Sequence, residues 1–567
     1  MSVGELTVEP GARKRIRFEP WSVGTVVLGC LLASPVVAIV GLAFLPTENI
    51  WPHLVETVLG RYVSNTLLLM LGVGAGVTFG GVCTAWVITM CRFPGRRFFE
   101  WALLIPMAMP AYVIAYAYTD LLEYAGPVQK TLRELFGWQS ARDYWFPDIR
   151  TIGGAIVMMS LVLYPYVYLL SRAGFLSQSA SLLEASRLLG HGPWRTFRSV
   201  ALPLARPAIA VGVALALMET LNDFGTTDYF AVQTFTVGIY NTWLGMNSLP
   251  GAAQLSTVLL VFVLVLIGIE RAGRRRQRFH ETAGQQTALP GYRLSGLRAA
   301  TAFVICATPL VLGFLVPATV LAGYALDNYE TTLNADFVAL LENSFLLSSG
   351  AALLALGIAL FLNYGARLSG ARFVRTASRF ASIGYAVPGA VLAVGVVMPV
   401  AWFDRAFVTV SEAVFGVSSG LLLSGTIAAL LFAYVVRFMA VSHGAVEAGL
   451  SRITPSMDDA ARNLGATKIA TLRRIHVPMI RGSALTAVLL VFVETMKELP
   501  MTLLLRPFNF DTLATFAYQY AGDEQIEEAA LAALAIVLVG LGPVLLLSLA
   551  IRRSRPEYSG GQAARSN

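Results

Sequence analysis

A chain of 567 residues with 56% hydrophobic and only 13% charged residues, at a mean hydropathy of +0.65, lies far from the composition of a soluble globular domain. Its net charge of +8 reflects membrane topology and attraction to anionic headgroups, which excludes a nucleic-acid reading. Four cysteines and five scattered histidines provide neither a disulfide framework nor a His/Cys metal spacing.

In chain order, apolar runs fall near 22–45, 63–90, 98–120, 151–171, 208–229, 252–270, 299–325, 341–363, 379–401, 420–441, 483–505 and 529–551. Each is long enough to cross about 30 Å of hydrocarbon, which takes about 20 helical residues. Barrel alternation is missing, and an open backbone cannot cross lipid. The fold class is therefore all-α, a polytopic membrane protein of about twelve transmembrane helices. The first run is longer than a signal h-region and has no small-residue cleavage site, so it is expected to be a retained helix.

Basic residues gather in every second connection and set the orientation. Arg13, Lys14, Arg15 and Arg17 precede the first helix, Arg92, Arg96 and Arg97 follow the second, Arg271, Arg274, Arg275, Arg276 and Arg278 follow the sixth, and Arg552, Arg553 and Arg555 follow the last. The connections 231–250 and 326–340 contain no Lys or Arg. Both termini are expected on the cytoplasmic side.

A polar loop occurs twice at a constant offset. Glu184-Ala185-Ser186-Arg187-Leu188-Leu189-Gly190 leads to Val200-Ala201-Leu202-Pro203, and Asp459-Ala460-Ala461-Arg462-Asn463-Leu464-Gly465 leads to Ile475-His476-Val477-Pro478. The differences 459 − 184, 465 − 190 and 478 − 203 are all 275. Gly190 and Gly465 are suited to a left-handed helix end. Pro193 is suited to the first position of a following helix and Thr467 to its N-cap. The expected unit is a helix-turn-helix elbow, closed by Pro203 and Pro478 at the return to the membrane. Arg195, Arg198, Lys468, Arg473 and Arg474 give it a basic rim. The alternative is an ordinary amphipathic linker, which a single copy would favour and two copies in register disfavour.

The duplication extends further. Asn65-Thr66-Leu67-Leu68-Leu69 matches Asn343-Ser344-Phe345-Leu346-Leu347, and Pro110 matches Pro388. Six helices repeat as six, so the halves run parallel, with a path expected at their interface. The expected divisions are an N-terminal tail 1–20, repeats 21–270 and 299–551, a linker 271–298 and a C-terminal tail 552–567.

The same offset pairs Glu219 with Glu494 and Asp223 with Glu498. Each half is expected to carry an acidic pair at i, i+4 on one helical face inside the membrane, where carboxylates repel and need a cavity or a partner. Four hard oxygen donors suit a hard cation or a gate. The alternative is structural, since Lys497 can neutralise its own helix. With Asn222, these residues form a candidate translocation path. Gly72, Gly74, Gly76 and Gly80 are expected to pack a neighbouring helix. Tyr112, Tyr116, Tyr118, Tyr164, Tyr166 and Tyr168 suit either path lining or interfacial anchoring. The aromatic segment 121–150, with Trp138, Tyr144 and Trp145, is a candidate contact for a delivery protein.

The duplicated loop resembles the coupling loop of permease subunits in binding-protein-dependent ABC importers, with Ser186 and Val200 replacing Ala and Ile in the first copy and Asp459 and Val477 replacing Glu and Leu in the second. Together with Glu219-Thr220-Leu221-Asn222-Asp223-Phe224-Gly225-Thr226 and Glu494-Thr495-Met496-Lys497-Glu498-Leu499-Pro500, the chain resembles the fused, double-length permeases of ferric-iron importers over nearly its whole length. Thiamine, sulfate and polyamine permeases share the loop. The resemblance implies a bacterial inner-membrane location, two cytoplasmic ATPase subunits docking on the two loops, and an extracytoplasmic binding protein. No G-x-x-x-x-G-K-[ST] loop occurs, so ATP is expected to be used by the partner, with no cofactor bound by this chain and no enzymatic activity of its own. The rivals are an ion-gradient-driven secondary transporter, for which Arg92-Phe93-Pro94-Gly95-Arg96-Arg97 is the supporting turn, and an intramembrane enzyme, for which no nucleophile–base or metal constellation is visible.

Overall fold

A computed structural model describes residues 20–44, 51–277, 291–416, 418 and 420–553. Arg13, Lys14, Arg15, Arg17, Arg278 and Arg555 of the orientation pattern lie outside these residues, as do most of both expected tails and the middle of the 271–298 linker.

Among the described residues, eleven helices are long and apolar enough to cross a membrane, and one bent pair adds a twelfth span. The first half contains α1 (Pro20–Ala43), α2 (Pro52–Met90), α3 (Ala111–Leu122), α4 (Ile152–Leu176), the short α5 (Ala180–Leu188), α6 (Pro193–Asn222) and α7 (Leu249–Ala272). The second contains α8 (Gly296–Asp327), α9 (Ala335–Ser369), α10 (Gly389–Phe415), α11 (Ile427–Leu450), the short α12 (Pro455–Asn463), α13 (Lys468–Met496) and α14 (Ile526–Leu546). The one sheet among the described residues pairs Cys91–Arg92 in parallel with Tyr292–Arg293.

Proline places the breaks. The run expected at 98–120 is two helical segments meeting at 89° around Pro110, which has no N–H to continue a helix and disfavours helical backbone in the residue before it. Its counterpart Pro388 has the same effect, so the ninth span begins at Gly389 and runs to Phe415, rather than occupying 379–401.

Small residues set the spacing. A Cβ on Gly72 would strike Ile156, and one on Gly76 would meet Ser160 Oγ. Gly81 lies against Val167 and the backbone of Tyr168. The glycine stripe of α2 therefore seats α4 in close contact, a packing role.

The packing units do not coincide with the sequence repeats. Helix α1 packs on α9 and α10 of the second half as well as on α7. Trp21 stacks on Phe361 at 5.0 Å, and a Cβ on Gly395 would collide with the Pro35 carbonyl. Conversely, α8 lies against α2 and α3 of the first half and against α14. Phe303 meets Phe99 edge-on at 4.9 Å, and Tyr118 Oη donates to the Leu312 carbonyl at 2.8 Å. Each half contributes its first helix to the other, and two buried apolar clusters result.

Candidate translocation pocket and coupling elbows

Sequence places Glu219 and Asp223 four residues apart, but α6 stops at Asn222 and Asp223 adopts an extended conformation (φ −67°, ψ 131°). In the second half α13 stops at Met496. Asp223 and Glu498 thus stand just beyond helix ends, and the expectation of acidic pairs on one continuous helical face is corrected. The cause is capping chemistry. The Asp223 carboxylate accepts from Thr226 N and Thr227 N at 3.1 Å each and from Thr226 Oγ1 at 2.9 Å, which favours ending one helix and starting another. The Glu498 carboxylate accepts from Met501 N at 3.4 Å, and Pro500 starts the next short helix, Pro500–Leu505.

These two breaks face each other across the halves and line one pocket. Glu219, Asn222, Asp223, Glu494, Lys497 and Glu498 all border it, together with Pro110 at the bend, Tyr112 and Tyr166. Of the six tyrosines considered from sequence, these two reach the pocket. Tyr164 and Tyr168 instead donate to the carbonyls of Leu103 and Glu100 and are buried in the helix packing.

Most of the carboxylates already have partners. Lys497 Nζ is 2.9 Å from Glu494 Oε1. Arg437 Nη1 is 3.2 Å from Glu498 Oε1, with both side chains under a tenth exposed. Asp223 is held by its caps, while Glu219 has no hydrogen bond or ion pair among the described residues. The asparagine ties the halves together, its Oδ1 accepting from Gly389 N at 2.8 Å. Among the described residues no group of three or more His, Cys, Asp or Glu side chains is placed to hold a metal ion. The four carboxylates line one pocket without being gathered around a single point. Arg437 escaped the sequence reading, although a lone arginine in the apolar run Ala433-Tyr434-Val435-Val436-Arg437-Phe438 is itself a signal.

Both elbows form as the duplicated loop predicts. Gly190 (φ 77°) and Gly465 (φ 78°) are left-handed. In the first, Gly190 N and His191 N donate to the Arg187 and Ser186 carbonyls at 2.9 and 3.1 Å. In the second, Gly465 N and Ala466 N donate to those of Arg462 and Ala461 at 3.0 Å each. This is the two-bond C-terminal motif that only an αL residue closes cleanly. Pro193 begins the next short helix in the first copy, and Thr467 Oγ1 caps Ala470 N at 3.2 Å in the second. Five-residue π-helical turns, Phe197–Ala201 and Leu472–His476, follow within α6 and α13, so Pro203 and Pro478 fall inside continuous helices just after these turns and do not close the elbows as expected.

Glu184, Ala185, Asp459 and Ala460 are exposed, and Asp459 pairs with Arg462 one turn on. The tips are apolar as well as charged. Leu189 and Trp194 protrude at 76% and 67% exposure, and their counterparts Leu464 and Ile469 at 88% and 56%. The exposed apolar pair is thus repeated in register in the two halves.

The sequence pattern described as "Binding-protein-dependent transport system inner membrane component" matches residues 72–278 and 355–556, once in each half. The chain is 27% identical to the Fe(3+)-transport system permease protein FbpB 2 of Haemophilus influenzae, over 86% of this chain and 90% of that one. It is 24% identical to the ferric transport system permease protein FbpB of Actinobacillus pleuropneumoniae, over 86% and 71%. The molybdenum transport system permease protein ModB of Escherichia coli is 27% identical but covers only 34% of this chain, with 88% of its own length matched.

Proposed function

The chain belongs to the family of binding-protein-dependent transport system inner membrane components, and from that premise we propose that it forms the path by which an ATP-driven importer admits ferric iron. Family membership removes the ion-gradient alternative. The observation that carries the choice of cargo is the sign of the pocket. Four carboxylates against Arg437 and Lys497 leave a formal charge of 4 − 2, or two negative charges, which repels molybdate, sulfate and phosphonate and attracts a cation. The two iron permeases reported above match this chain across both halves, which supports the same reading.

In this reading an extracytoplasmic binding protein releases Fe³⁺ to the pocket between the halves. Two ATPase subunits, one on each elbow, supply the energy, and this chain has no ATPase site of its own. The termini lie on the elbow side, the cytoplasm, as the basic residues indicate. The oxygens guide the ion without chelating it, because a path that binds its cargo tightly cannot release it.

The test is ATP-driven uptake of radiolabelled Fe³⁺ into proteoliposomes containing the assembled importer, challenged with excess thiamine, spermidine and molybdate. Iron should enter and none of the three should compete. Molybdate or thiamine uptake in place of iron would overturn the cargo. Glu219→Gln should lower iron uptake, and unchanged uptake in that variant would remove the carboxylates from the path.

A further inference from the structure

The pocket has a feature that the repeat does not require. The 275-residue offset pairs Val162 with Arg437 (437 − 162) and Asn222 with Lys497 (497 − 222), and the 278-residue offset relating Pro110 to Pro388 pairs Ala111 with Gly389. Both cations thus belong to the second half, at positions where the first half is neutral. Their presence has been accommodated. A Cβ at Gly389 would run into the Arg437 guanidinium and the Glu498 carboxylate, so the Ala-to-Gly difference is what admits the pair. Burying an arginine at membrane depth is costly, and the buried Val162 at the matching position of the first half shows that the fold does not need one there. Lys497 is also within electrostatic reach of Glu219 and Glu498 as well as its partner Glu494.

We propose that Arg437 and Lys497 are specificity-determining residues, resident counter-ions that close the acidic pocket to small cations until a highly charged cargo displaces them. The inference rests on the reading that a cation passes between the halves. Four uncompensated carboxylates would admit sodium, potassium or magnesium, and a path that leaks them dissipates the ion gradients of the cell. A tethered ammonium or guanidinium competes at a high effective concentration. A monovalent ion must shed its water and offers only one charge in exchange for the one it displaces, whereas a trivalent ion offers three charges to the same oxygens. The two pairs therefore discriminate by charge.

The experiment measures resting ²²Na⁺ and ³⁶Cl⁻ entry into proteoliposomes containing the assembled importer, without ATP or binding protein. Arg437→Met and Lys497→Met should each raise Na⁺ entry about tenfold or more, the equivalent of a barrier lower by about 1.4 kcal/mol, with Cl⁻ entry unchanged. Adding Glu498→Gln to the first or Glu494→Gln to the second should return Na⁺ entry towards the wild-type rate. Arg437→Lys should stay tight. If Arg437→Met does not assemble, the more accessible Lys497→Met carries the test. Folded Met variants as tight as the wild type would overturn the proposal, and so would Na⁺ and Cl⁻ entry rising together, which signals a packing defect. A wild type that refuses iron while the variants leak Na⁺ would sink the iron reading alone. Tight variants beside normal iron uptake would sink the counter-ion role alone.

Discussion

The elbow of the first half and the elbow of the second make the same turn, yet they are fastened to the membrane helices by different chemistry. In the second, Asp458 on α12 is the hub. Arg367 at the end of α9 reaches it at 2.8 Å and also donates to the Leu450 and Ile453 carbonyls, while His476 Nε2 lies 2.7 Å from its other oxygen. In the first, the matched positions are Leu183 (458 − 275) and Ala201 (476 − 275), both buried. The rings of Trp86, Phe175, Phe197 and Trp194 cluster around that elbow, with Trp86 tilted against Phe197 at 4.8 Å and Trp194 stacked on Phe197, and Gln178 Nε2 donates to the Ala201 carbonyl. One footing is directional and ionic, the other apolar. The repeat thus kept the αL turn and the protruding Leu and Trp or Ile, while the attachment beneath diverged.

The largest effect should come from removing what the elbows share. Gly190→Val or Gly465→Val forces a β-branched residue into the left-handed region, at a cost of about 1–2 kcal/mol at the turn itself. A Cβ there meets nothing within 4 Å, so the loss comes from backbone conformation. Each variant should abolish ATP-driven uptake and release the ATPase subunit from membranes, and the two should do so equally. A loss confined to one half would mean that the elbows are not equivalent docking points.

Next come substitutions that should act on one half only. Asp458→Leu leaves Arg367 and His476 without their carboxylate, which costs roughly 2–3 kcal/mol. It should speed hydrogen exchange over α12 while the first elbow keeps its protection. Leu183→Asp, the reverse exchange, should disrupt the first elbow alone. Exchange rising in both elbows after either change would refute separate footings.

Smaller still is Thr467→Ala, which removes the cap on Ala470 N and should cost about 1 kcal/mol. It should be visible as fraying of the second elbow, with no counterpart at Gly192, which has no side chain to cap the first. The smallest effect is that of pH. Burial tends to raise the Asp458 carboxyl, but hydrogen bonds from His476 and Arg367 outweigh it and hold the group below the usual carboxylate range. A depressed folded-state value means that this contribution is complete above the ordinary carboxylate value of about 4 and is lost only as pH falls through the lower folded value. Protease sensitivity of α12 should therefore stay flat from neutral pH to about pH 5 and rise only in stronger acid. A rise near pH 6 would exclude the carboxylate as its cause.

Much of this was legible in the sequence because the protein states its plan twice. The 275-residue offset located both elbows and both acidic segments, and local chemistry predicted the left-handed glycines, Pro193 at a helix start and Thr467 as a cap. Arg437 was not legible by that route, because a repeat directs attention to what matches and here the match is Val162. Nor was the break at Asp223, whose surroundings read as one apolar run. The choice between continuing a helix and capping a new one depends on Thr226 and Thr227 lying where the carboxylate can reach their amides.

The number of apolar spans, the twofold plan and the two turns are written in the sequence, since hydropathy, period and αL preference are properties of short stretches of chain, whereas the bounds of the third and ninth spans are not. The exchange of α1 and α8 between halves, the seat of Glu498 against Arg437 where Gly389 leaves room, and the contrast between an ionic hub under one elbow and clustered aromatic rings under the other emerge from the folded molecule alone. Those outcomes depend on which distant surfaces meet when apolar area and charge are buried together, and nothing within a single segment specifies its neighbour.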